Sequence, residues 1–231
     1  MVKKFISYWN IYERMWLCIF CGIAVWITVA SGDNLFGFAV FISGVLCVVL
    51  VAKGSILNYP IGAFNTAGYA WLAFQNGLYG EVGLNLFFYL PMMVIGFLMW
   101  RKHIDTGGVV GMRRLPAKAV FLVSCICAAA IAGLGFALSM ITTQNTPYID
   151  AATNVLSVAA TLLMVRRYRE QWAGYITLNV LSVIMWVFRA GAGNPDAGLM
   201  VVMWSAYLVN SVYGMYNWTK GAAQAEGRGA V

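Results

Sequence analysis

Apolar residues run through this chain in long unbroken stretches, not in the alternation of a half-buried strand or the single stripe of a soluble helix. Bounded by charge or by Gly, Pro and Asn, the stretches fall at about 12–30, 35–52, 59–75, 79–100, 117–140, 148–165, 172–189 and 199–219. Each approaches the roughly 20 residues that a helix needs to cross the hydrocarbon core. The pattern therefore predicts an all-α membrane protein of eight transmembrane helices. The third and seventh stretches are the most polar, one with Asn65, Thr66 and Gln75 and the other with Thr177, Asn179 and Ser182. Polar residues inside a crossing face a bundle interior or a cavity.

Composition closes off the soluble alternatives. At 61% hydrophobic and 10% charged, with a mean hydropathy of +0.76, the chain lies far from a soluble domain with its roughly 25% charge. The net charge of +7 is not gathered on one solvated face, so nucleic acid is not an expected partner. The basic residues fall between the apolar stretches instead. Placing the N-terminus in the cytoplasm puts 14 of the 15 Lys and Arg on the cytoplasmic side, with Arg189 the exception, and leaves Asp33, Glu81, Asp150 and Asp196 outside. Eight crossings with both termini cytoplasmic satisfy this rule. Lys3 and Lys4 resemble the charged start of a signal peptide, but the apolar run is long enough to span and no A-x-A site follows before Asp33.

His103, the single histidine, falls in the longest connection and reads as a solvated loop residue. The five cysteines read as small core hydrophobes, because Cys18 and Cys21 lack the further ligands of a zinc site. No metal or cofactor is expected. Residues 221–231 show no periodicity and read as a disordered tail.

An internal repeat organises the crossings. Ser43-x9-Lys53-x11-Asn65 recurs as Ser157-x9-Arg167-x11-Asn179, an offset of 114, and Tyr89-Leu90-x5-Gly96-x3-Trp100 recurs as Tyr207-Leu208-x5-Gly214-x3-Trp218 at 118. The extra residues fall in an outer loop, where insertion is cheap. The chain thus divides into an extra N-terminal helix (1–34), a three-helix repeat (35–100), a cytoplasmic loop with a linker helix (101–147), a second three-helix repeat (148–220) and the tail (221–231). The linker helix restores orientation, so the 3+1+3 repeats are parallel, as in transporters with repeats related by an axis along the membrane normal.

Substrate sites in such transporters lie near the midplane at the repeat interface. At about that depth stand Ser43, Asn65, Asn85, Tyr89, Ser157, Asn179, Tyr207 and Asn210, with Gln75 nearer the end of the third stretch. An asparagine offers donor and acceptor together, which suits a neutral polar group in a nearly dry pocket. Trp71, Trp186 and Trp204 stand where a flat ring could stack, whereas Trp100, Trp172 and Trp218 lie at helix ends and read as interfacial belt. No Asp, Glu or His falls at mid-depth and no phosphate-binding loop for ATP is present, which points to facilitated diffusion and away from proton coupling or catalysis.

The 3+1+3 arrangement is similar to that of the SWEET sugar transporters, and the residues resemble a closer family. Lys53-Gly54, the Asn65 region, Leu78-Tyr79-Gly80-Glu81 with Asn85, Tyr89-Leu90-Pro91-Met92 with Gly96 and Trp100, Asp150-Ala151, Ser157, Glu170-x-Trp172 and the final Tyr-x6-Gly-x3-Trp resemble the PnuC vitamin transporters over about 35–220. The chain departs from that pattern where Met93 replaces a Gln and Asn179 an Asp. The resemblance implies a transporter of the bacterial inner membrane carrying nicotinamide riboside, with a cytoplasmic kinase trapping the riboside as an anion. An indole face would then also attract the cationic pyridinium. Thiamine, riboflavin or a sugar on the same architecture, and a scaffold without substrate, are the alternatives. The spacings Gly133 to Ala137 and Ala128 to Ala132 suit helix packing within the chain or in a homo-oligomer.

Overall fold

Each apolar stretch contains a helix. The computed structural model describes residues 9–31, 35–77, 79–105, 108–141, 146–191 and 197–227. Eight helices lie among them: α1 (Ile11–Ser31), α2 (Leu35–Lys53), α3 (Asn58–Gln75), α4 (Tyr79–His103), α5 (Ala117–Ile141), α6 (Pro147–Val165), α7 (Gln171–Gly191) and α8 (Ala197–Gly227). Five of them, α2, α4, α5, α6 and α7, are long and apolar enough to cross a membrane by length and composition. Lys3, Lys4, Asp33, Leu78, Asp196 and Arg228 lie outside the described residues.

Local chemistry sets the helix ends. At α1, the Glu13 amide donates to Asn10 Oδ1 at 2.8 Å and the Asn10 amide donates to Glu13 Oε2 at 2.9 Å. This reciprocal box satisfies two amides that the first turn would otherwise leave open. At the end of α2, Gly54 takes φ +74° and the Ser55 amide donates back to Leu50 O at 2.9 Å. That is the six-to-one closure of a left-handed C-terminal cap. The end of α6 repeats the device with Arg167 at φ +67° and Tyr168 N donating to Leu163 O at 2.9 Å. Here a non-glycine residue carries the left-handed strain. Within α4, residues Asn85–Tyr89 form a π turn, and Leu90 N donates to Asn85 O. The turn lies just before Pro91, whose ring would clash with the carbonyl four residues back in a regular α-helix.

The chain divides into two compact units, one of residues 1–51 and 55–101 and the other of 52–54 and 102–231. In the first, Trp9 packs with Val49 and Leu50. Tyr59 of α3 lies over Gly96 of α4 and meets the Trp100 ring edge-on at 4.9 Å. In the second, Trp172 of α7 lies over Gly214 of α8 and meets the Trp218 ring at 6.3 Å, again edge-on. A methyl group on either glycine would run into the ring. The Gly-x3-Trp spacing is thus a cradle: the glycine makes room for an aromatic that the tryptophan one turn on holds from the side.

Three sequence expectations are corrected. Trp100, Trp172 and Trp218 are not interfacial belt; all are at most 2% exposed, because they close these cradles. The cysteines are free but not core: Cys18, Cys21 and Cys125 are exposed on their helices and Cys47 and Cys127 are half-buried. Residues 221–227 are not disordered; α8 continues through them. Gly221 packs on Met112 and Ala222 is buried, so contacts hold a segment of Ala, Gln and Glu that already favours helix.

The loop after α4 is also well anchored within the second unit. Val110 N donates to Gly54 O at 2.9 Å, Arg113 N donates to Arg167 O at 2.8 Å, and Arg169 N donates to Arg113 O at 2.9 Å. Val110 and Met112 are buried. His103 itself is exposed, as the sequence predicts, but it lies in the last turn of α4 and not in the loop.

Candidate functional site

The polar positions singled out from the sequence fall into three groups. In the first unit, Ser43 and Asn65 turn to one backbone atom: Ser43 Oγ donates to Val40 O at 2.8 Å and Asn65 Nδ2 donates to the same carbonyl at 2.7 Å. Asn65 reaches it because Gly44 opens the α2 surface; a Cβ there would stand 2.9 Å from the amide nitrogen. Asn65 is half-buried and its Oδ1 has no partner among the described residues. Gln75 is exposed at the end of α3, about 15 Å along the helix from Asn65. It does not join the group.

The second group occupies the π turn. Asn85 is buried and its Nδ2 donates to Glu81 O at 2.8 Å. Tyr89 closes the turn, with its ring against Phe88 at 5.1 Å. π turns widen a helix locally and recur at functional sites.

The third group, on α7 and α8, is the most connected. Asn179 is 4% exposed and its Nδ2 donates to Ser211 Oγ at 2.9 Å; Ser211 Oγ donates in turn to Tyr207 O at 2.8 Å. The Tyr207 ring meets Trp204 edge-on at 5.8 Å. On α7, Asn179, Ser182 and Trp186 follow at i, i+3 and i+7, and on α8, Trp204, Tyr207 and Ser211 do the same, so each trio shares one helix face. Asn179 Oδ1 has no partner among the described residues and can accept a ligand hydrogen bond. Asn210 is buried next to Ser211. The Trp186 ring already holds a cation, since the Arg189 guanidinium lies 4.8 Å from its centroid. Ser157 lies half-buried on α6 and its carbonyl accepts Thr161 Oγ1 at 2.8 Å, outside this stripe.

Several members escaped the sequence reading. Ser211 gives no signal on its own, because a serine beside Asn210 reads as packing; only the Asn179 contact reveals it. Thr66, which the sequence marks only as one of the polar residues of the third stretch, is buried on α3. The two C-terminal caps, Gly54 and Arg167, and the two cradled rings, Tyr59 and Trp172, are spaced 113 residues apart, not 114. On that spacing the mate of Asn179 is Thr66 and not Asn65. The same cap register pairs Asn58 with Gln171, both wholly buried. Among the described residues, neither amide atom of Gln171 has a hydrogen-bond partner, nor has Asn58 Oδ1.

Acidic groups keep to the helix ends. Glu13, Glu81 and Asp150 lie in first turns, and Glu170 lies just ahead of α7 with its oxygens on Leu115 N at 3.0 Å and Arg169 Nε at 3.1 Å. No group of three His, Cys, Asp or Glu that could hold a metal occurs among the described residues. In the α6–α7 turn, burial and then the neighbouring Arg113 hold the Arg167 guanidinium below its ordinary pKa, and its Nη1 donates to Gly111 O at 2.9 Å.

Comparison with known proteins places this arrangement. A family model described as nicotinamide mononucleotide transporter matches residues 34–220. The chain is similar to the nicotinamide riboside transporter PnuC of Neisseria mucosa, with 36% identity over 225 residues, 94% of this chain and 84% of that one. It is 35% identical to the protein of the same name from Haemophilus influenzae over 222 residues, 94% of each. The Escherichia coli protein of that name is 25% identical over 173 residues, 64% of this chain and 72% of that one. A crystal structure of the vitamin B3 transporter PnuC is similar with a TM-score of 0.76 and 35% identity, covering 94% of both chains.

Proposed function

The chain belongs to the nicotinamide mononucleotide transporter family, and from that premise we propose that it moves nicotinamide riboside across the bacterial inner membrane by facilitated diffusion. It is a multi-pass membrane transporter of that riboside; the route and driving force are our reading. A proton-coupled carrier needs a titratable group in its path. Every Asp, Glu and His of this sequence falls at a helix end or in a connection. Net uptake then requires a sink, and phosphorylation of the riboside by a cytoplasmic kinase supplies one, because the added phosphate charge cannot return through an apolar path. We read the chain as having no catalytic step of its own.

The observation that carries the site is the α7–α8 stripe. Asn179 is held by Ser211, which in turn is anchored on the Tyr207 carbonyl, so the amide is fixed with its acceptor oxygen free. A fixed amide discriminates better than a mobile one, because its orientation costs nothing at binding. It matches a ribose hydroxyl or a carboxamide N–H. Trp204 offers an aromatic face beyond it that can attract a cation, whereas the Arg189 guanidinium already lies over the Trp186 ring. The pyridinium of the riboside carries the same charge. Asn65, Asn85, Tyr89, Ser43, Ser157 and Asn210 are second-rank candidates, since Asn179 is the amide that a side chain of another helix, Ser211, orients.

The chain's topology is also our reading: eight crossings, both termini cytoplasmic, and two parallel three-helix repeats joined by α5. The twin cradles, Tyr59–Gly96–Trp100 and Trp172–Gly214–Trp218, support it.

Calorimetry on the purified protein in detergent tests the function, with nicotinamide riboside set beside thiamine, riboflavin, nicotinamide and glucose. Binding of the riboside alone, weakened by Asn179→Ala, is expected. Binding of another vitamin, or an unchanged affinity in the variant, overturns the cargo or the site respectively.

A further inference from the structure

The helices α5, α6 and α7 enclose an apolar groove of about 370 Å³ in the second unit. Its walls run from Val120 to Ile131 on α5, from Ala152 to Leu163 on α6, and from Glu170 to Leu181 at α7. Each stretch advances about eleven residues, or roughly 16 Å at helical rise. That is about half of the ~30 Å hydrocarbon core, the depth of one leaflet. The transport reading leaves this groove unused.

One end of the groove is basic. Leu115 lines it, and Arg114 is the next residue; Leu163 lines it, and Arg166 follows three residues on, at the next position of the same helix face. Lys118 stands in the first turn of α5 at the same end. Arg114, Lys118 and Arg166 are exposed and form no ion pair or hydrogen bond through their side chains among the described residues. Their neighbours are engaged: Arg113 lies over the Tyr168 ring at 5.0 Å, Arg167 donates to Gly111 O, and Arg169 pairs with Glu170. Glu170 sits in the lining with its oxygens taken by Leu115 N and Arg169, so its charge is already answered.

An apolar slot one leaflet deep, open beside three uncommitted cations, has the shape and charge of a lipid site. We propose that it holds one acyl chain of an anionic phospholipid of the cytoplasmic leaflet, with the phosphate over Arg114, Lys118 and Arg166. The chain gains little by leaving the bilayer for the groove, since both are apolar, so the headgroup decides which lipid stays. This placement rests on the topology read above, in which this end of α5, α6 and α7 is cytoplasmic.

Native mass spectrometry of the whole protein tests it, after reconstitution in phosphatidylcholine with and without phosphatidylglycerol. One phosphatidylglycerol per chain is expected to stay bound while phosphatidylcholine leaves. The triple substitution Arg114→Gln, Lys118→Gln, Arg166→Gln should reduce that retention by about ten-fold or more. Filling the groove with Ala160→Leu, or with Cys127→Phe should the first variant fail to fold, should release the lipid with the cations intact. Equal retention of the two lipids, no change in the triple variant, or displacement by millimolar inorganic phosphate that groove filling does not affect would each overturn the proposal. The topology is read separately, by labelling Lys118→Cys in a cysteine-free background with an impermeant maleimide on right-side-out and inverted vesicles. Labelling only from outside would refute the cytoplasmic placement, whereas the lipid measurement reports on the groove itself.

Discussion

Tyr59 on α3 and Trp172 on α7 do the same work, each laid on a glycine and held edge-on by a tryptophan one turn further along the next helix. The polar residues nearby do not match. In the first half Asn65 and Ser43 both bond a backbone carbonyl, that of Val40; in the second half Asn179 bonds a side chain, Ser211. At the sequence offset of 118 that relates the two Gly-x3-Trp segments, Ser211 falls on Met93, which packs toward Gly62. Close packing fixes the cradles, because ring, glycine and tryptophan must change together or not at all. Hydrogen-bonding residues carry no such joint constraint, so one scaffold can hold different chemistry in its two halves. We place recognition chiefly in the second.

The comparison can be broken at its packing first. Trp100→Ala and Trp218→Ala should each cost about 3–5 kcal/mol of stability, read as a fall in the melting temperature of the protein in detergent. Losses that differ widely would mean that the cradles are not equivalent. Gly96→Ala and Gly214→Ala should cost about 1–3 kcal/mol each by overpacking, and more if Tyr59 or Trp172 cannot shift. Thermal melts again decide, and a tolerant glycine in one half alone would end the parallel.

Chemistry is where the halves should part. Asn179→Ala and Ser211→Ala should each weaken riboside binding by about ten-fold, worth ~1.4 kcal/mol, whereas Asn65→Ala should change it by less than about three-fold. Calorimetry checks all three, and equal losses would spread recognition over both halves. The helix caps test the parallel last. Gly54→Ala should destabilise by about 1–2 kcal/mol through the left-handed conformation that an L-residue must take there, and further because its Cβ would stand 2.7 Å from Met112 Cε, while Arg167→Gly sheds the backbone cost but loses the bond to Gly111 O, so its net change should be smaller. Unfolding followed by circular dichroism compares the two, and an Arg167→Gly loss as large as that of Gly54→Ala would mean that the caps are not equivalent.

Much of the helical layout was legible in the sequence, and the reason is the solvent. Hydrocarbon tolerates no unpaired backbone groups, so apolar length and flanking charge suffice to locate helices such as α2 and α5 within a residue or two. What composition could not distinguish was a buried tryptophan from a belt tryptophan, since both sit near helix ends; the glycine four residues before Trp100 and Trp218 held the answer. The α8 extension was missed because its contacts, Gly221 on Met112 among them, come from a loop distant in sequence. Asn179 was found as an intramembrane amide, but its partner was not, because hydrogen bonds between helices leave no periodicity. The π turn left no trace beyond Pro91.

That turn bears on how α4 can evolve. A π turn is geometrically a residue that the helix has absorbed without gaining a turn, so the segments Tyr79–Leu84 and Leu90–Trp100 are rotated about 100° relative to their register in a continuous α-helix. Deleting one residue between Asn85 and Tyr89 would erase the offset, swing the N-terminal segment by that angle and set Pro91 against a regular backbone. A family member shorter by one residue here is expected to carry a different residue in place of Pro91, and to present a different set of side chains along the whole N-terminal end of the helix.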